Sequence, residues 1–442
     1  MRAPSSLLAN TASLAAARGF YGLVTFVATA LVAHELGPGS AGVFGLVLVI
    51  GFFTGVLADA GVSLLLVPAL ARSTPRSWSG LWSQLGRFQL ITAIPAAALF
   101  ALLVSVAYDG ETADLLLASI PWWLMLRATL SLRSFLTVGE RLRYDAVAAA
   151  IEAIVTISAL LAAVLLAGSI TYAILAMGLG AAIGTALRIG FVRKMLGSGH
   201  GASAEPVDRG KMGVRDSVAS TWSLLRRAVH FNTFNVLSVV YSRVDVVLLS
   251  AFVTPALLGV YQGPVRLVTA ALLLPEALGL MMQGRSARDP HDEGNRATQQ
   301  RLLNAGLIVS AVALAAMAVF GGPLLELLFG APFAAGKAAL ILLFAVVPVR
   351  LASYFNGNEL VAHDLQKLRT RCMGATAAFA VLAGIPGILA FGIEGAAAVT
   401  LASEALLGAL YMVAVRGRIG PAAVVVPFRA PQPRSERALA PQ

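Results

Sequence analysis

Five arginines lie in the middle of long apolar stretches, and they are the residues of this sequence best suited to chemistry. They are Arg18, Arg127, Arg243, Arg266 and Arg350. An ionisable side chain at the centre of a membrane helix costs about 2.5–3.5 kcal/mol on insertion scales, so each is a functional hypothesis. A guanidinium stays charged and can hold two phosphate oxygens at once. Several arginines around one space therefore suit a diphosphate better than a neutral sugar or an organic cation.

Acidic residues lie in the same stretches and allow two interpretations. Four of them could couple transport to a proton or a sodium ion, or could hold helices together in pairs: Asp59, Asp245, Glu276 and Glu404. The pairing alternative also applies to the arginines, because Arg243 could pair with Glu276 and Arg350 with Glu404. Both interpretations stay open from the sequence.

Two further arginines, Arg133 and Arg188, lie near the ends of their apolar stretches. A long arginine side chain near a helix end can extend to the lipid headgroups while its stem stays in the apolar region. We therefore expect these two residues to contact headgroups.

Polar residues recur at helical spacing in three of the stretches. With 3.6 residues per turn, spacings of three, four and seven place side chains on one helix face. The three polar faces consist of Thr11, Arg18, Gly22, Thr25 and Thr29 in the first stretch, of Asn235, Ser238 and Ser242 in the seventh, and of Gln262, Arg266, Thr269 and Glu276 in the eighth. Such faces would line a hydrated central cavity.

The composition requires a membrane around these stretches. The 442 residues are 58% hydrophobic and only 12% charged, with a mean hydropathy of +0.81, whereas soluble proteins average about 25% charged residues. A net charge of +11 would indicate nucleic acid for a soluble protein, but no basic patch is interleaved with aromatic residues. The single cysteine, Cys372, allows no intramolecular disulfide.

About twelve apolar stretches are long enough to cross a bilayer as helices. Their predicted bounds are 11–34, 42–67, 87–107, 113–137, 146–167, 170–193, 229–251, 257–283, 301–320, 335–358, 370–391 and 394–415. Cations concentrate in every second connection, so the positive-inside rule predicts that both termini are cytoplasmic. The start of the chain lacks the features of a cleaved signal peptide, and we expect the first helix to be retained.

The predicted fold is all-α: a polytopic membrane protein of about twelve helices in two pseudo-symmetric six-helix lobes around a central cavity. The predicted segments are an N-lobe at 1–193, a Gly/Ser-rich basic linker at 194–228, a C-lobe at 229–415 and a disordered cytoplasmic tail at 416–442. The linker composition is typical of flexible connections.

An internal repeat supports the two lobes. The heptapeptide that starts at Pro38 aligns with the one that starts at Pro255, an offset of 217 positions. The same offset aligns Asp59 with Glu276, and it also pairs Thr25 with Ser242 and Arg18 with Asn235. Six helices per half give both halves the same topology, which is one of the two usual plans of transporters, with the substrate between the lobes.

Four segments resemble bacterial polysaccharide flippases, in the oligosaccharide flippase branch of the multidrug/oligosaccharidyl-lipid/polysaccharide exporter superfamily. They begin ELGPGSAGVFG at residue 35, RVDVVLLSAFV at residue 243, LLELLFGAPFA at residue 324 and FGIEGAAAVTL at residue 391. The resemblance spans nearly the whole chain in the expected order.

The resemblance implies alternating access that carries an undecaprenyl-diphosphate-linked oligosaccharide from the cytoplasm to the periplasm of a bacterial inner membrane, with cavity arginines near the diphosphate. Arg18 and Arg243 occupy the kind of positions where such relatives place cations. Expected partners are membrane lipids and a polysaccharide polymerase or glycosyltransferases.

Three other functions compete with this prediction. A multidrug or small-molecule antiporter of the same superfamily would favour an acidic cavity for cationic substrates. A membrane enzyme would need a sizeable exposed loop with catalytic groups, and a non-transporting envelope-assembly scaffold would tolerate loss of the arginines. No nucleotide-binding loop, zinc spacing or nucleophile motif occurs, so the prediction is a transporter without a cofactor or a metal.

Overall fold

A computed structural model describes the backbone of residues 4–73, 77–139, 141–198, 233–234, 236–286, 293–420 and 424–425. Side chains are described in these ranges except those of residues 4–21, 68, 274, 277, 280–281, 283–286 and 293–296. The regular secondary structure in this part of the chain is helical, and no strand occurs in it.

The first helix, α1, runs over Pro4–Asp59 and breaks at Gly37. Its 56 residues correspond to about 84 Å at 1.5 Å per residue, nearly three times the hydrocarbon thickness of a bilayer. Gly37 has φ 79° and ψ 178°, and Pro38 starts the next helical turn. Glycine accepts a positive φ, and proline fits the first turn because its missing N–H would have no partner there. The helix α1 therefore contains two spans.

The rest of the first half continues after a bend at Ala60 and Gly61, which both have positive φ. A π-helical turn, Ala162–Leu166, extends α6. The helices are α2 (Val62–Arg72), α3 (Trp78–Ala107), α4 (Gly110–Ala118), α5 (Ile120–Val138), α6 (Leu142–Leu161) and α7 (Ile170–Ser198).

The second half begins with a helix over 236–252, here α8. A short 3-10 helix, Ala331–Gly336, precedes α11. The other helices are α9 (Pro255–Ser286), α10 (Glu293–Phe329), α11 (Lys337–Phe344), α12 (Val346–Ala362) and α13 (Gln366–Arg418).

The 53-residue helix α13 also breaks, at Gly392 with φ 59° and ψ −129°. A Cβ added to Gly395 would lie 1.9 Å from the carbonyl oxygen of Gly387. The backbones on the two sides of the break are therefore in direct contact, and the chain turns back at Gly392. Like α1, α13 supplies two spans.

Nine helical stretches of the described chain are long and apolar enough to cross a membrane. Two of these stretches are broken, at Gly37 in α1 and at Gly392 in α13, so each of the two contributes two membrane helices. The shorter helix α8 adds one more. The predicted all-α polytopic fold of about twelve membrane helices is therefore confirmed.

The helices form two compact units. The first comprises Met1–Val247 and Thr254–Gly259, and the second comprises Leu248–Val253 and Val260–Gln442. The predicted lobes at 1–193 and 229–415 stay predictions. Of the predicted linker, 194–198 belongs to the end of α7, and 199–228 lies outside the described residues.

Side-chain burial differs between helices. In the first unit, apolar side chains of α2, α3, α5 and α7 form a core made of Val62, Leu66, Leu70, Trp78, Leu85, Phe88, Leu132, Phe135, Leu136 and Val192. The most apolar windows of α3 and α10 are only 11% buried, against 33–61% for the other seven stretches. These two helices occupy peripheral positions in their units, where apolar side chains would face lipid.

Two residues of the C-terminal tail pack in the second unit. The Asn356 side chain donates Nδ2 to the Val425 carbonyl at 3.0 Å and accepts the Val425 N–H at 3.2 Å. Val424 and Val425 are both buried. At these two residues the tail packs against α12, because an asparagine amide pairs with a peptide group, while the disordered tail stays a prediction. Residues 421–423 and 426–442 lie outside the described chain.

Candidate functional site

Four charged residues of α5, α6 and α7 form a buried charge cluster in the first unit. Arg188 donates Nε to Asp145 Oδ1 at 2.7 Å and Nη1 to Glu152 Oε2 at 2.6 Å. Arg133 Nε lies 3.2 Å from Asp145 Oδ2. The side chains of Arg188 and Asp145 are 0% and 3% exposed. Two guanidinium groups balance two carboxylates, and buried charges are tolerated when they are paired in this way.

Glycines on α7 make room for this cluster. Gly180, Gly184 and Arg188 are four residues apart and share one face of the helix. A Cβ on Gly184 would lie 2.3 Å from Glu152 Oε2, and a Cβ on Gly180 would lie 1.9 Å from Thr156 Oγ1. Small residues at G-x-x-x-G spacing let membrane helices approach closely. The motif therefore brings α6 against α7 and places Arg188 within reach of both acids.

The prediction that Arg188 extends to the lipid headgroups is wrong, since its side chain is fully buried. Arg133 is 31% exposed and also turns its Nε towards Asp145. Asp145 is missed by the sequence reasoning because it lies one residue before the predicted fifth span. The sequence signal that could have revealed the cluster is the G-x-x-x-G motif of Gly180 and Gly184, which is followed four residues later by Arg188.

A small cavity opens beside the charge cluster. Its polar lining comes from Arg133, Glu152 and Thr156. Its apolar lining comes from Val24, Trp122, Ala149, Ala153 and Met177. A guanidinium, a carboxylate and a hydroxyl in one small space can bind water or a polar group of a ligand.

Arg127 of α5 lies fully buried against α3. Its Nη2 donates to the carbonyl oxygen of Gln89 at 3.1 Å and to the hydroxyl of Thr92. Its Nε and Nη1 have no hydrogen-bond partner in the part of the chain that the structure describes. In this conformation Arg127 joins two helices, and its role in substrate binding stays a prediction.

Asp59, at the end of α1, holds three helices together. Its Oδ2 accepts hydrogen bonds from the Ser63 N–H at 3.2 Å and from the Ser63 hydroxyl at 2.7 Å. Its Oδ1 accepts a hydrogen bond from the Ser131 hydroxyl at 2.9 Å. These bonds link α1 to α2 and α5. They are the contacts of a residue that holds helix ends, while ion coupling by Asp59 stays a prediction.

In the second unit, Arg350 of α12 and Glu404 of α13 form an ion pair. Arg350 donates Nε and Nη2 to Glu404 Oε2 at 2.9 and 2.7 Å. The Glu404 side chain is 1% exposed and that of Arg350 is 16% exposed. The structural pair that the sequence offers as an alternative for Arg350 is therefore present.

Glu276 of α9 accepts a hydrogen bond from the Tyr354 hydroxyl at 3.3 Å. This bond repeats the arrangement at Asp59 in the other unit. The offset of 217 positions relates Asp59 to Glu276, and it also relates Arg133 to Arg350. In the first unit Asp59 is bonded to α5, the helix that carries Arg133. In the second unit Glu276 is bonded to α12, the helix that carries Arg350.

Two residues of the polar face of α9 are buried, in a stretch, 258–266, that is buried on every side. Gln262 is 0% exposed and Arg266, one turn later, is 8% exposed. Both side-chain amide atoms of Gln262 lack a hydrogen-bond partner among the described residues. A buried polar group without a partner costs about 1–3 kcal/mol, so a water molecule or a polar ligand at Gln262 would offset this cost.

The hydroxyl groups of the predicted polar faces bond within their own helices. The side chains of Thr25, Thr29, Ser242 and Thr269 donate to carbonyl oxygens three or four residues earlier, at 2.6–3.0 Å. Such bonds satisfy a hydroxyl without any water. These residues are therefore compatible with a dry environment, and the hydrated central cavity stays a prediction.

For three predicted site residues the structure gives a position in a helix and no named side-chain contact. Arg18 belongs to α1, but its side chain lies outside the described residues. Arg243 and Asp245 are half-buried in α8 of the first unit. Their predicted roles in cargo binding, coupling or pairing stay predictions, and so does the pair of Arg243 with Glu276.

A buried polar group at the end of α12 is missed by the sequence reasoning. Glu359 is 1% exposed and accepts a hydrogen bond from Gln299 Nε2 at 3.1 Å. Its carbonyl oxygen lies 3.0 Å from His363 Nδ1. Glu359 lies one residue past the predicted tenth span, so its burial could not be anticipated. No group of three or more metal-ligating side chains occurs among the described residues.

The Arg350–Glu404 pair can be tested with a double-mutant cycle. We expect Arg350→Ala to lower the free energy of unfolding by about 1.5–3 kcal/mol, because the buried Glu404 carboxylate loses its cation. Arg350→Ala combined with Glu404→Ala should be less destabilising than the sum of the two single variants. Thermal unfolding in detergent measures these effects, with the exposed Arg371→Ala as the control, and additive losses would contradict the coupling.

Comparisons with known proteins identify both a family and a fold. The sequence profile of the family described as polysaccharide biosynthesis protein matches residues 7–275. No curated protein sequence matches the chain.

Several solved membrane transporters share the fold. The lipid II flippase MurJ, in an inward closed conformation, is 14% identical, with 90% of this chain and 86% of that chain covered and a TM-score of 0.65. A eukaryotic MATE transporter is 15% identical, with 93% and 96% covered and a TM-score of 0.61. A MATE transporter of Vibrio cholerae is 17% identical, with 94% and 99% covered and a TM-score of 0.58. At these identities the likeness is one of fold.

Proposed function

Because this chain belongs to the polysaccharide biosynthesis protein family, we propose that it is a flippase for an undecaprenyl-diphosphate-linked oligosaccharide. The cargo passes from the cytoplasmic to the periplasmic leaflet of a bacterial inner membrane by alternating access, and the chain carries out no covalent chemistry. The family name indicates polysaccharide synthesis, and one relative of the same fold is named a lipid II flippase. Both names fit a glycan that is carried on a lipid.

The observation that carries this proposal is the buried polar face of α9. Arg266 is almost fully buried, and Gln262, one turn away, has amide atoms with no hydrogen-bond partner among the described residues. A guanidinium beside an amide offers several N–H donors in an apolar environment, where charge-assisted hydrogen bonds are strong. A diphosphate supplies an acceptor for the Gln262 amide nitrogen, which has no hydrogen-bond partner among the described residues, and a negative charge that attracts the Arg266 guanidinium.

The direction of transport follows from charge. The predicted orientation places both termini in the cytoplasm. A cargo with about two net negative charges gains about 4.6 kcal/mol per 100 mV when it moves outward across a membrane that is negative inside. The membrane potential therefore favours export, provided that the protein's own charges do not move with the cargo.

The acids differ in how suited they are to ion coupling. Glu404 forms an ion pair with Arg350, and Asp59 accepts three hydrogen bonds, which supports structural roles for both acids. Glu276 is half-buried, and its described hydrogen bond comes from the neutral Tyr354. Of these three acids, Glu276 has the fewest described polar contacts, so a role in ion coupling is assigned to Glu276.

Reconstitution tests the proposal directly. Proteoliposomes are loaded with labelled undecaprenyl-diphosphate oligosaccharide, and the fraction that becomes accessible in the opposite leaflet is followed with and without an imposed potential. We expect protein-dependent flipping that is faster when the receiving side is positive. Absence of flipping together with efflux of a cationic dye would identify an antiporter. Absence of both activities would favour a scaffold role.

A further inference from the structure

A residue of the C-terminal tail belongs to the hydrophobic core of the second unit. Val425 is 4% exposed and packs in one cluster with buried side chains of α9, α10 and α12. These side chains are Met282, Leu303, Leu351 and Phe355. One tail residue therefore joins three helices. We call these four side chains together with Asn356 the tail site, and we call residues 424–425 the strap.

The tail site holds the strap by its main chain. Asn356 Nδ2 donates to the carbonyl oxygen of Val425 at 3.0 Å, and the Val425 N–H donates to Asn356 Oδ1 at 3.2 Å. One amide thus pairs with both main-chain groups of Val425, as a residue of a neighbouring antiparallel strand would. Proteins that bind extended peptides combine such main-chain hydrogen bonds with pockets for side chains. The tail site offers both, because the Val425 side chain lies in an apolar cluster.

The sequence around the strap suits an extended ligand. Valines occupy 424–426, and Pro421 and Pro427 flank the short apolar segment. Valine favours extended backbone, and a proline disfavours helix in the residue before it. The helix α13 ends at Arg418, and Gly420 has a φ of 129°. The four residue steps from Gly420 to Val424 reach at most about 14 Å, so the strap is tethered close to its site and binds it at high effective concentration.

The strap can leave the tail site. Its described contacts are two hydrogen bonds and the burial of Val424 and Val425. Against them stands the conformational entropy that the chain from Gly420 to Val425 loses when the strap binds. The gain and the cost are of similar size. Bound and free states of the strap are therefore both accessible.

The bound strap restrains the helix that carries the proposed cargo face. The helix α9 contains Gln262 and Arg266, and Met282 lies near its other end, which is cytoplasmic in the predicted orientation. Pro275 lies between the two parts of α9 and removes a backbone hydrogen bond there. Because Met282 shares one cluster with Val425, this end of α9 cannot move against α10 and α12 without disturbing the strap.

We propose that the tail site is a peptide-binding site that holds the protein's own tail, and that the bound strap slows transport. The occupant is residues 424–425 of the same chain, and the recognised chemistry is an extended peptide with a β-branched apolar side chain. The effect on transport rests on the proposed function. The binding of the strap is a property of the protein alone, and it is measured without any cargo.

Hydrogen exchange followed by mass spectrometry tests the binding of the strap in the full chain in lipid nanodiscs. The Val425 amide should exchange about tenfold more slowly than in a free peptide of the same sequence. Val425→Asp places a charge in the apolar cluster, leaves the helices unchanged and should abolish this protection. Asn356→Leu removes both hydrogen bonds at similar volume and should do the same. Gly417→Asp, whose exposed Cβ meets nothing within 4 Å, adds the same charge at the end of α13 and should leave the protection intact.

Flipping of labelled undecaprenyl-diphosphate oligosaccharide in proteoliposomes tests the effect on transport. Val425→Asp should raise the rate about three- to tenfold, because it releases a strap that most molecules hold bound, and Gly417→Asp should leave the rate unchanged. Exchange of the natural protein as fast as that of the free peptide would overturn the peptide site. Equal or slower flipping by Val425→Asp would overturn the control of transport. If none of the proteins flips the lipid, the proposed function fails, and hydrogen exchange still decides whether the tail binds.

Discussion

Replacement of Arg188 by alanine is expected to destabilise the first unit by about 3–5 kcal/mol, because the buried Asp145 and the partly buried Glu152 both lose the cation that they share. Arg188 bonds Asp145 and Glu152 through different nitrogens, at 2.7 and 2.6 Å. Arg133 contacts Asp145 and can compensate only in part. Thermal unfolding in detergent and the yield of monodisperse protein from membranes measure the loss.

Control variants separate charge from size. Lys194→Ala removes an exposed cation from the same helix and should change the melting temperature little. Arg188→Lys keeps the charge but replaces the planar fork by one ammonium group, so its stability should lie between that of the alanine variant and the natural protein. Arg188→Met with Asp145→Asn and Glu152→Gln should recover part of the loss, since the fully buried charges are removed together and only Arg133, which is 31% exposed, loses its partner. A melting temperature of Arg188→Ala equal to that of the natural protein would refute a stabilising cluster.

Replacement of Arg266 by alanine is expected to leave the protein folded and inserted but to reduce flipping about 10- to 150-fold. A hydrogen bond to a charged group contributes about 1.5–3 kcal/mol, and each 1.36 kcal/mol corresponds to a factor of ten in rate. The measurement is flipping of labelled undecaprenyl-diphosphate oligosaccharide in proteoliposomes with equal amounts of each protein.

The matched control is Arg301→Ala, since Arg301 is exposed at the start of the ninth span. It removes the same charge from the chain without touching the polar face of α9, and flipping should stay close to that of the natural protein. Arg266→Lys should retain part of the activity because it keeps the charge and loses the bidentate geometry. Unaltered flipping by a well-folded Arg266→Ala protein would remove Arg266 from cargo binding.

The ion pairs show how far sequence reasoning extends into the site. The Arg350–Glu404 pair could be proposed from two mid-span charges of opposite sign, and it is present. The charge cluster around Arg188 could not be proposed, because Asp145 falls just outside a predicted span and Arg188 close to the end of another. A shift of a few residues in a helix boundary changes the interpretation from headgroup contact to buried pair. The rotation of α7 about its axis, which turns Arg188 towards α6, depends on the packing of Gly180 and Gly184.

The internal repeat also separates what the sequence predicts from what only the tertiary structure shows. Its offset of 217 positions follows from residue types alone, and it relates Asp59 to Glu276 and Pro38 to Pro255. That the two copies of the proline-glycine turn touch one another is a tertiary fact. An alignment of two segments records their likeness and contains no information about the distance between them.

By itself, the sequence determined the all-α polytopic class and the number of membrane helices, about twelve, and it predicted the duplication of the two halves. These properties follow from local quantities, namely the length of apolar runs and the spacing of polar residues, because a chain in lipid must satisfy its backbone hydrogen bonds within each helix. Only the tertiary structure decided which buried charges meet, which polar groups bond within their own helix, and that Gly42 and Gly259 cross. Those outcomes depend on which helix faces pack together, and packing is decided by steric fit between segments that are distant in the chain.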